Sequence, residues 1–301
     1  VPQMVGALHY ALGDAMPMTL AQVQGWVANE GDAWQRTVTH FASMLRGGHG
    51  NAETATDFTL LGRRTGELHL ALASATDDPA FAPEEMTKAD LVSLVQQMHD
   101  RLDKSLQVLR NQLPNLNETD RDLSRKLLSN SNLLRKRIQV PELSATVPKI
   151  RVHGDYHLGQ VLCTPDGDFV IVDFEGEPAR PLAERRAKHC PLKDVAGMLR
   201  SFDYAAQAAL RGLAASVFEA SAISTAERLA NQASRQYLNG YYAALDSATV
   251  LPRDVNLRNQ LLNLFVLDKA LYELLYEANN RPDWIAIPLT GLIRYASGLQ
   301  V

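Results

Sequence analysis

Apolar side chains recur every three or four residues along most of the chain, which is the spacing of amphipathic helices. The longest such pattern runs from Thr87 to Arg110, with apolar residues at Leu91, Leu94, Val95, Met98, Leu102, Leu106 and Leu109. Weaker patterns of the same kind predict further helices over residues 32–44, 60–73, 119–138, 192–220, 224–247, 254–280 and 288–298. The hydrophobic pattern therefore predicts a mainly helical protein.

Two stretches alternate between apolar and polar residues, which predicts short strands. Residues 4–27 form one hairpin in this interpretation, with a turn at Gly13-Asp14. The second stretch runs from Ala145 to Gly176, with strands at 150–152 and 169–172 and the turn sequence TPDGD at 164–168. A Gly-rich polar connector is predicted over 46–56. The expected fold class is α+β, mostly helical, with small β-hairpins.

Composition narrows the classes of protein. The chain has 301 residues, of which 46% are hydrophobic and 21% charged, as in ordinary globular proteins with a large core or two lobes. A net charge of −4 gives no sign of nucleic-acid binding, and no apolar run is long enough to span a bilayer. Cys163 and Cys190 fit neither a metal site nor a disulfide framework, so we expect a reducing, cytoplasmic setting.

The chemistry of the chain is concentrated in RVHGDYHLGQVLCTPDGDFVIVDFEGEP, residues 151–178. Asp155 follows a predicted strand, Gln160 comes five positions later, and Asp173 ends the next hairpin strand. A carboxylate in such a position is costly unless it is paired or binds a metal. Phosphoryl transfer uses this layout, because one carboxylate takes the proton of the attacking hydroxyl while an amide oxygen and a second carboxylate hold Mg²⁺.

The motifs resemble a known family. HGDYHLGQ is similar to the catalytic loop of aminoglycoside-phosphotransferase-like kinases, usually written His-Gly-Asp-x-His-x-x-Asn, and VDFEGEP is similar to their counterpart of the protein-kinase Asp-Phe-Gly motif. The Gln in place of Asn, together with residues 172–206 and 268–289, resembles the bacterial maltokinases. Those enzymes phosphorylate the C1 hydroxyl of maltose to give maltose 1-phosphate, and some are fused to a trehalose synthase.

This resemblance implies a protein-kinase-like C-terminal lobe that uses ATP and Mg²⁺. By the same resemblance Asp155 is the catalytic base, and Gln160 and Asp173 are the magnesium ligands. We therefore expect the chain to phosphorylate maltose as a sugar kinase, with a trehalose synthase as a possible fused or associated partner.

Glu175 replaces the usual glycine of the Asp-Phe-Gly motif. The resemblance gives it a place at the metal, where it would orient water. An ion pair with Arg180 or Arg185 is an equal alternative for the same carboxylate.

Three more residues take supporting roles by resemblance. Asp194 is expected to accept hydrogen bonds from the catalytic-loop backbone, and His153 to anchor that loop. His157 is expected to support the site or contact the sugar. No third His or Cys ligand lies nearby, so neither histidine is expected to bind a metal.

The N-terminal hairpin resembles the last two strands of a kinase N-lobe. QGWVANEGD (24–32) resembles the hinge that meets adenine, which makes Gln24 and Trp26 the expected nucleotide-binding residues. Packing of Trp26 in the core or hinge is the alternative. We expect residues 1–31 to end an N-lobe and 32–301 to form the C-lobe. The phosphate-covering hairpin and strand lysine would then precede Val1, so weak or no turnover is expected from this chain alone.

An acceptor site is predicted on the helix from Gln260 to Asn280. Polar and aromatic residues recur there on one face, and Arg281 and Trp284 follow at its end; the face consists of Lys269, Tyr272, Glu273, Tyr276, Glu277 and Asn280. Aromatic faces cover sugar rings while charged groups bind hydroxyls, so we expect Tyr272, Glu273 and Arg281 to contact the sugar most closely, with Lys269 and Tyr276. The alternative is an ordinary packing face.

Two other functions compete with the sugar kinase. One is a phosphotransferase for an aminoglycoside, choline or homoserine; the mixed charges of the 269–281 face favour a neutral sugar over these cationic acceptors. The other is a non-catalytic docking module fused to a trehalose synthase. The intact set of Asp155, Gln160 and Asp173 argues against the loss of an active site.

Overall fold

A computed structural model describes residues 1–13, 17–47, 56–178, 180–213, 220–245 and 250–298. The helices are α1 (Ala33–Leu45), α2 (Phe58–Leu72), α3 (Lys88–Gln112), α4 (Glu118–Ser129), α5 (Ser131–Arg137), α6 (Leu182–Arg185), α7 (Leu192–Arg211), α8 (Ala220–Ala244), α9 (Val255–Asn280) and α10 (Ala286–Ala296). The strands are β1 (Met4–Tyr10), β2 (Met18–Gln24), β3 (Glu84–Glu85), β4 (Pro148–Lys149), β5 (Val161–Cys163) and β6 (Phe169–Ile171). All three described pairs are antiparallel: β1–β2 and β5–β6 are hairpins, whereas β3 and β4 lie far apart in the sequence. The predicted α+β, mainly helical fold class is confirmed.

Two predicted elements differ from the structure. The single helix expected over 119–138 is broken at Asn130, which ends α4 and donates its side-chain amide to the carbonyl of Lys126. Such a local side-chain bond competes with the continuing helix. The strand expected at 150–152 is reduced to one bridge between Ile150 and His189, because the preceding residues pair with β3.

Some sequence predictions fall outside the described residues. These are Asp14 of the first turn, the connector from 48 to 55, and the ends of two predicted helices at 214–219 and 246–247.

The core has two parts that share α9. The larger part joins α1, α2, α7 and α8 around Phe202, Tyr237 and Tyr241, and the smaller joins α3, α4, α9 and α10. The helices α2 and α8 pack backbone to backbone: a Cβ on Gly62 would lie 1.9 Å from the Tyr237 carbonyl oxygen. A side chain there would force the helices apart, so glycine is required at this crossing.

The β1–β2 hairpin keeps its apolar side chains exposed. Met4, Val5, Leu8, Leu20 and Val23 are between 56% and 67% exposed. Trp26 is 90% exposed, so the predicted packing of this indole in the core is wrong within the described part of the chain. Trp34, by contrast, packs against the larger core.

Both cysteines, Cys163 and Cys190, are free and buried. Burial raises the pKa of the Cys190 thiol to about 12, so this sulfur stays protonated and unreactive at neutral pH. Among the described helices, none combines the length and the apolar character that crossing a bilayer requires.

Candidate active site

Asp194, in the first turn of α7, holds the loop that carries Asp155. Its two carboxylate oxygens accept hydrogen bonds from the backbone N–H groups of His153 (2.7 Å) and Gly154 (2.9 Å), and Oδ2 lies 3.3 Å from His69 Nε2. Burial by itself would raise the pKa of Asp194, but the bond to His69, the nearby imidazoles and the Gly154 N–H outweigh burial and lower it. The ionised carboxylate therefore fixes the loop from below.

His153 connects the same loop to the end of strand β6. Its ring Nε2 donates to the carbonyl oxygen of Val172 at 2.8 Å, and its ring lies 5.0 Å from that of Phe174 and 5.3 Å from that of Tyr156. The loop and the hairpin are thus held in a fixed relation by a buried side chain.

Asp155 opens into a cavity of about 450 Å³ between the loop, α7 and α9. Lys269 Nζ lies 3.5 Å from Asp155 Oδ1 and 3.9 Å from a carboxylate oxygen of Glu177. His157 Nε2 lies 4.0 Å from Asp155 Oδ2. Burial lowers the pKa of His157, and the Asp155 charge opposes this shift only in part. Lys269 is therefore the cation that faces Asp155 at neutral pH.

Gln160 and Asp173 meet at the end of the β5–β6 hairpin. The Gln160 side-chain amide donates to Asp173 Oδ2 at 2.8 Å. Asp173 has a φ of 66°, a left-handed conformation that is uncommon for a residue with a Cβ and that recurs at functional sites. The backbone at this position thus turns sharply to bring the carboxylate to Gln160.

Glu175 does not join this pair. Its carboxylate lies 3.7 Å from Arg185 Nη1, which is the ion pair that sequence analysis held as the alternative. No cluster of three His, Cys, Asp or Glu side chains able to hold a metal occurs among the described residues. Mg²⁺ is commonly bound by one or two protein oxygens together with substrate phosphates, so Gln160 and Asp173 fit such an ion without a third protein ligand.

The residues predicted to bind the acceptor are brought together in the Asp155 cavity. Its walls include all six of them: His157, Lys269, Tyr272, Glu273, Tyr276 and Arg281. The rings of Tyr272 and Tyr276 are stacked, with centroids 6.4 Å apart and planes 22° apart. Burial and the neighbouring Glu177 carboxylate raise the pKa of the Tyr272 hydroxyl. The cavity therefore combines an aromatic surface with neutral and charged hydrogen-bonding groups.

Besides Lys269, two of these residues, Glu273 and Arg281, are engaged in ion pairs. Glu273 accepts from Arg200 Nε at 2.8 Å, and burial raises the pKa of this glutamate while the charge of Arg200 opposes the shift. Arg281 donates twice to Glu277, at 2.7 and 3.0 Å. A sugar would contact pre-oriented pairs, not free side chains.

Several predicted residues do not line this cavity, among them Gln160 and Asp173. Asn280 donates back to its own helix at the Tyr276 carbonyl, and Trp284 stacks on Tyr204 at 6.3 Å. Neither Gln24 nor Trp26 lines the cavity, and both are on or beside the exposed hairpin. Their nucleotide-binding role stays a prediction.

The structure adds lining residues that the sequence did not assign: Glu177, Tyr204, Asp32 and Trp34. Glu277, a member of the predicted acceptor face, also lines the cavity. Glu277 was recognisable, because an acid four residues before Arg281 on a helix predicts their pairing. Tyr204 came from another helix, α7, and no pattern in the sequence relates it to Glu277, to which its hydroxyl donates at 3.0 Å.

Residues 10–216 match the model of the phosphotransferase enzyme family (APH), and the chain belongs to that family. Among curated proteins it is 26% identical over 298 residues to a glucosamine kinase of Streptacidiphilus jiangxiensis, covering 96% of this chain and 60% of that protein. It is 33% identical over 145 residues to a glucosamine kinase of Mycolicibacterium smegmatis, covering 48% of this chain and 34% of that protein. A solved glucosamine kinase in complex with glucosamine, ADP and inorganic phosphate superposes with a TM-score of 0.79 at 25% identity, over 97% of this chain and 67% of that one.

The predicted membership of the aminoglycoside-phosphotransferase-like family is confirmed. This chain spans about 60% of the length of the first of these relatives. The relatives reported are glucosamine kinases, so maltose as the acceptor is left as a prediction.

Proposed function

We propose that this chain supplies the catalytic base, the metal ligands and the acceptor site of an ATP- and Mg²⁺-dependent sugar kinase. The observation that carries the proposal is the cavity in which Asp155 faces the acceptor side of α9. The Gln160–Asp173 pair lies at the end of the β5–β6 hairpin, which follows the Asp155 loop in the chain.

In this proposal Asp155 binds a sugar hydroxyl and accepts its proton as the oxygen attacks the γ-phosphorus of ATP. The bond from that phosphorus to the ADP oxygen breaks, and the products are a sugar phosphate and ADP. Asp155 is oriented for this role because Asp194 holds the loop backbone on the other side. Gln160 and Asp173 would hold Mg²⁺, which when bound neutralises charge on the phosphates.

The first candidate acceptor is an amino sugar such as glucosamine. Five carboxylates and two cations line the cavity: Asp32, Asp155, Glu177, Glu273 and Glu277 against Lys269 and Arg281. The pairs Arg281–Glu277 and Arg200–Glu273 cancel, which leaves three lining carboxylates, Asp32, Asp155 and Glu177, against one lining cation, Lys269. A negative cavity favours an ammonium group. This charge balance revises the argument that mixed charges on α9 favour a neutral sugar, and the glucosamine kinase relatives support the same acceptor.

Maltose is the second candidate. The stacked Tyr272 and Tyr276 rings offer an extended aromatic surface of the kind that covers successive sugar faces. A volume of about 450 Å³ lies within the usual range for small-ligand sites.

Calorimetric titration of glucosamine and of maltose separates the two acceptors. We expect glucosamine to bind more tightly, and Glu177→Gln to weaken glucosamine about tenfold while leaving maltose unchanged, because only glucosamine carries a cation. Glu67→Gln, which removes an exposed carboxylate outside the cavity, is the matched control. Equal losses for both sugars would contradict the amino-sugar assignment.

A phosphoryl-transfer assay tests the reaction itself. Transfer from ATP to the better-binding sugar, followed by ³¹P NMR, should fall by a factor of about 10² to 10⁴ in Asp155→Asn. An unchanged rate of phosphoryl transfer in Asp155→Asn would show that Asp155 is not the catalytic base.

The remaining sequence interpretations are kept as proposals. We assign residues 1–31 to the end of an N-lobe with a nucleotide-facing hinge and 32–301 to a helical C-lobe. The fused trehalose synthase and the cytoplasmic location stay predictions.

A further inference from the structure

A second concave region lies at the other end of α9, away from the Asp155 cavity. It has a volume of about 750 Å³ and lies between the first turns of α9, the segment 136–142 at the end of α5 and just beyond it, and Tyr295 of α10. Gln260 in this groove and Tyr272 in the Asp155 cavity are twelve residues apart on one helix, a separation of about 18 Å. The two cavities have no lining residue in common.

Carboxamides dominate the walls of this groove. Asn256, Asn259, Gln260 and Asn263 recur at three and four residues on one face of α9, and Gln139 lies among the lining residues from the facing segment. A carboxamide both donates and accepts hydrogen bonds, as a sugar hydroxyl does. A stripe of such groups matches a ligand with several hydroxyls and is a poor match for an apolar one.

The charged residues of the groove indicate that the ligand also carries an anionic group. Lys136 and Arg137 line the groove and are exposed, and neither forms an ion pair with a carboxylate of the described residues. The Arg137 guanidinium donates instead to the backbone carbonyl of Ala296 at 3.4 Å. Glu142 is the one carboxylate among the lining residues of the described chain, so the cations are in excess.

The floor of the groove is buried. Asn263, Leu264 and Tyr295 lie there with at most 8% of their surface exposed. Burial raises the pKa of the Tyr295 hydroxyl, so it is a neutral group at pH 7. A neutral hydroxyl in the lining of the groove can donate to or accept from a polar ligand.

We propose that this groove is a binding site for a phosphorylated sugar, separate from the candidate active site. The carboxamides of Asn256, Asn259 and Gln260 bind the sugar hydroxyls, and Lys136 and Arg137 bind the phosphate. Binding at this groove is measured without turnover. The binding result is therefore independent of whether the chain transfers a phosphoryl group.

Calorimetric titration with glucose 6-phosphate, glucose and inorganic phosphate tests the site. We expect glucose 6-phosphate to bind more tightly than either of the other two, because neither alone uses both the carboxamides and the cations. Lys136→Ala and Gln260→Ala should each weaken it about tenfold. Tyr272→Ala, in the other cavity, and Lys126→Ala, an exposed lysine on α4 outside the groove, should leave its affinity unchanged.

Four outcomes would overturn the proposal. They are an absence of glucose 6-phosphate binding, equal affinity for inorganic phosphate, equal affinity for glucose, and a loss of affinity in Tyr272→Ala without a loss in the two groove variants. The last outcome would place the bound sugar phosphate in the candidate active site.

Discussion

The side-chain nitrogen of Gln160, not its oxygen, faces Oδ2 of Asp173, at 2.8 Å. A cation shared by these two residues needs the amide oxygen on the same side. Metal binding should therefore rotate the Gln160 amide and break this hydrogen bond, because Mg²⁺ takes oxygen ligands. On metal binding, Asp173 should therefore lose the hydrogen bond from the Gln160 amide and gain the metal as its partner.

The first prediction concerns the metal ligands. Asp173→Asn should weaken Mg²⁺ or Mn²⁺ binding in the presence of ADP at least about tenfold, because it removes the charged ligand. Glu175→Gln should change the affinity much less, since this carboxylate faces Arg185 at 3.7 Å. Titration of Mn²⁺ followed by electron paramagnetic resonance measures both variants. A larger loss in Glu175→Gln than in Asp173→Asn would reverse the assignment.

The second prediction concerns Asp194 and acid. Asp194→Asn should destabilise the fold by about 2 kcal/mol at neutral pH, because the amide cannot accept both backbone N–H groups and one is left unsatisfied. The pKa of Asp194 is lowered in the folded chain. The contribution of Asp194 to the free energy of unfolding is therefore complete above its unfolded-state pKa of about 3.9. This contribution is lost as the pH falls through the lower pKa of the folded state.

Chemical denaturation of wild type and Asp194→Asn across acidic pH measures this difference. The gap between the two proteins should close as the pH falls. Asp122→Asn, at an exposed i,i+3 pair on α4, is the control and should differ little from wild type. A gap that widens in acid would mean that Asp194 is protonated in the fold.

The third prediction concerns Lys193, a partly buried lysine of α7 beside the site. Burial and the positive charge of Arg180 lower the pKa of Lys193 to about 8. The pKa of Lys193 is lower in the folded state than in the unfolded state. At a pH between these two pKa values the unfolded state binds more protons, so the free energy of unfolding rises with pH in that range. At pH 7 the buried charge costs on the order of 3 kcal/mol. Lys193→Met should be more stable than wild type at pH 7, and this advantage should shrink toward pH 10.

Denaturation midpoints at pH 7 and pH 10 provide the measurement. Lys88→Met, at an exposed position on α3, is the control and should show no such pH-dependent advantage. An advantage of Lys193→Met that is constant with pH would show that packing, and not charge, is responsible.

The fourth prediction concerns the contact of α2 with α8. Gly62→Ala should destabilise the fold by about 3 kcal/mol, because the new methyl would lie 1.9 Å from a backbone oxygen and the helices must separate. Gly212→Ala is the matched substitution at the end of α7, where the methyl meets its nearest atom at an ordinary 3.5 Å. It should be neutral or slightly stabilising. Equal losses in both variants would contradict the proposed close packing.

The helices were predictable because each hides one apolar face. The predicted run from Thr87 to Arg110 corresponds to α3, which Thr87 caps by accepting from the Asp90 N–H. The same periodicity placed Lys269, Tyr272 and Tyr276 on one face of α9, and they line one cavity. Local spacing was enough in both cases.

Other features depend on contacts that spacing does not encode. The β3–β4 pair joins residues about sixty positions apart through two residues each, too few to give a pattern. Tyr204 and Glu177 reach the cavity from α7 and from the segment after β6. The four-residue spacing of Gly62 and Gly66 was visible in the sequence, and a close helix crossing could have been inferred from it.

In the proposed kinase, a sugar beside Asp155 and a metal at Gln160–Asp173 occupy one site. The most direct test is the relaxation of glucosamine protons by Mn²⁺ in the presence of ADP and the protein. We predict strong enhancement in the wild type and its loss in Asp173→Asn, with glucosamine still bound. Glucosamine that binds in the wild type together with Mn²⁺ but shows no enhanced relaxation would place metal and sugar in separate sites and contradict the account.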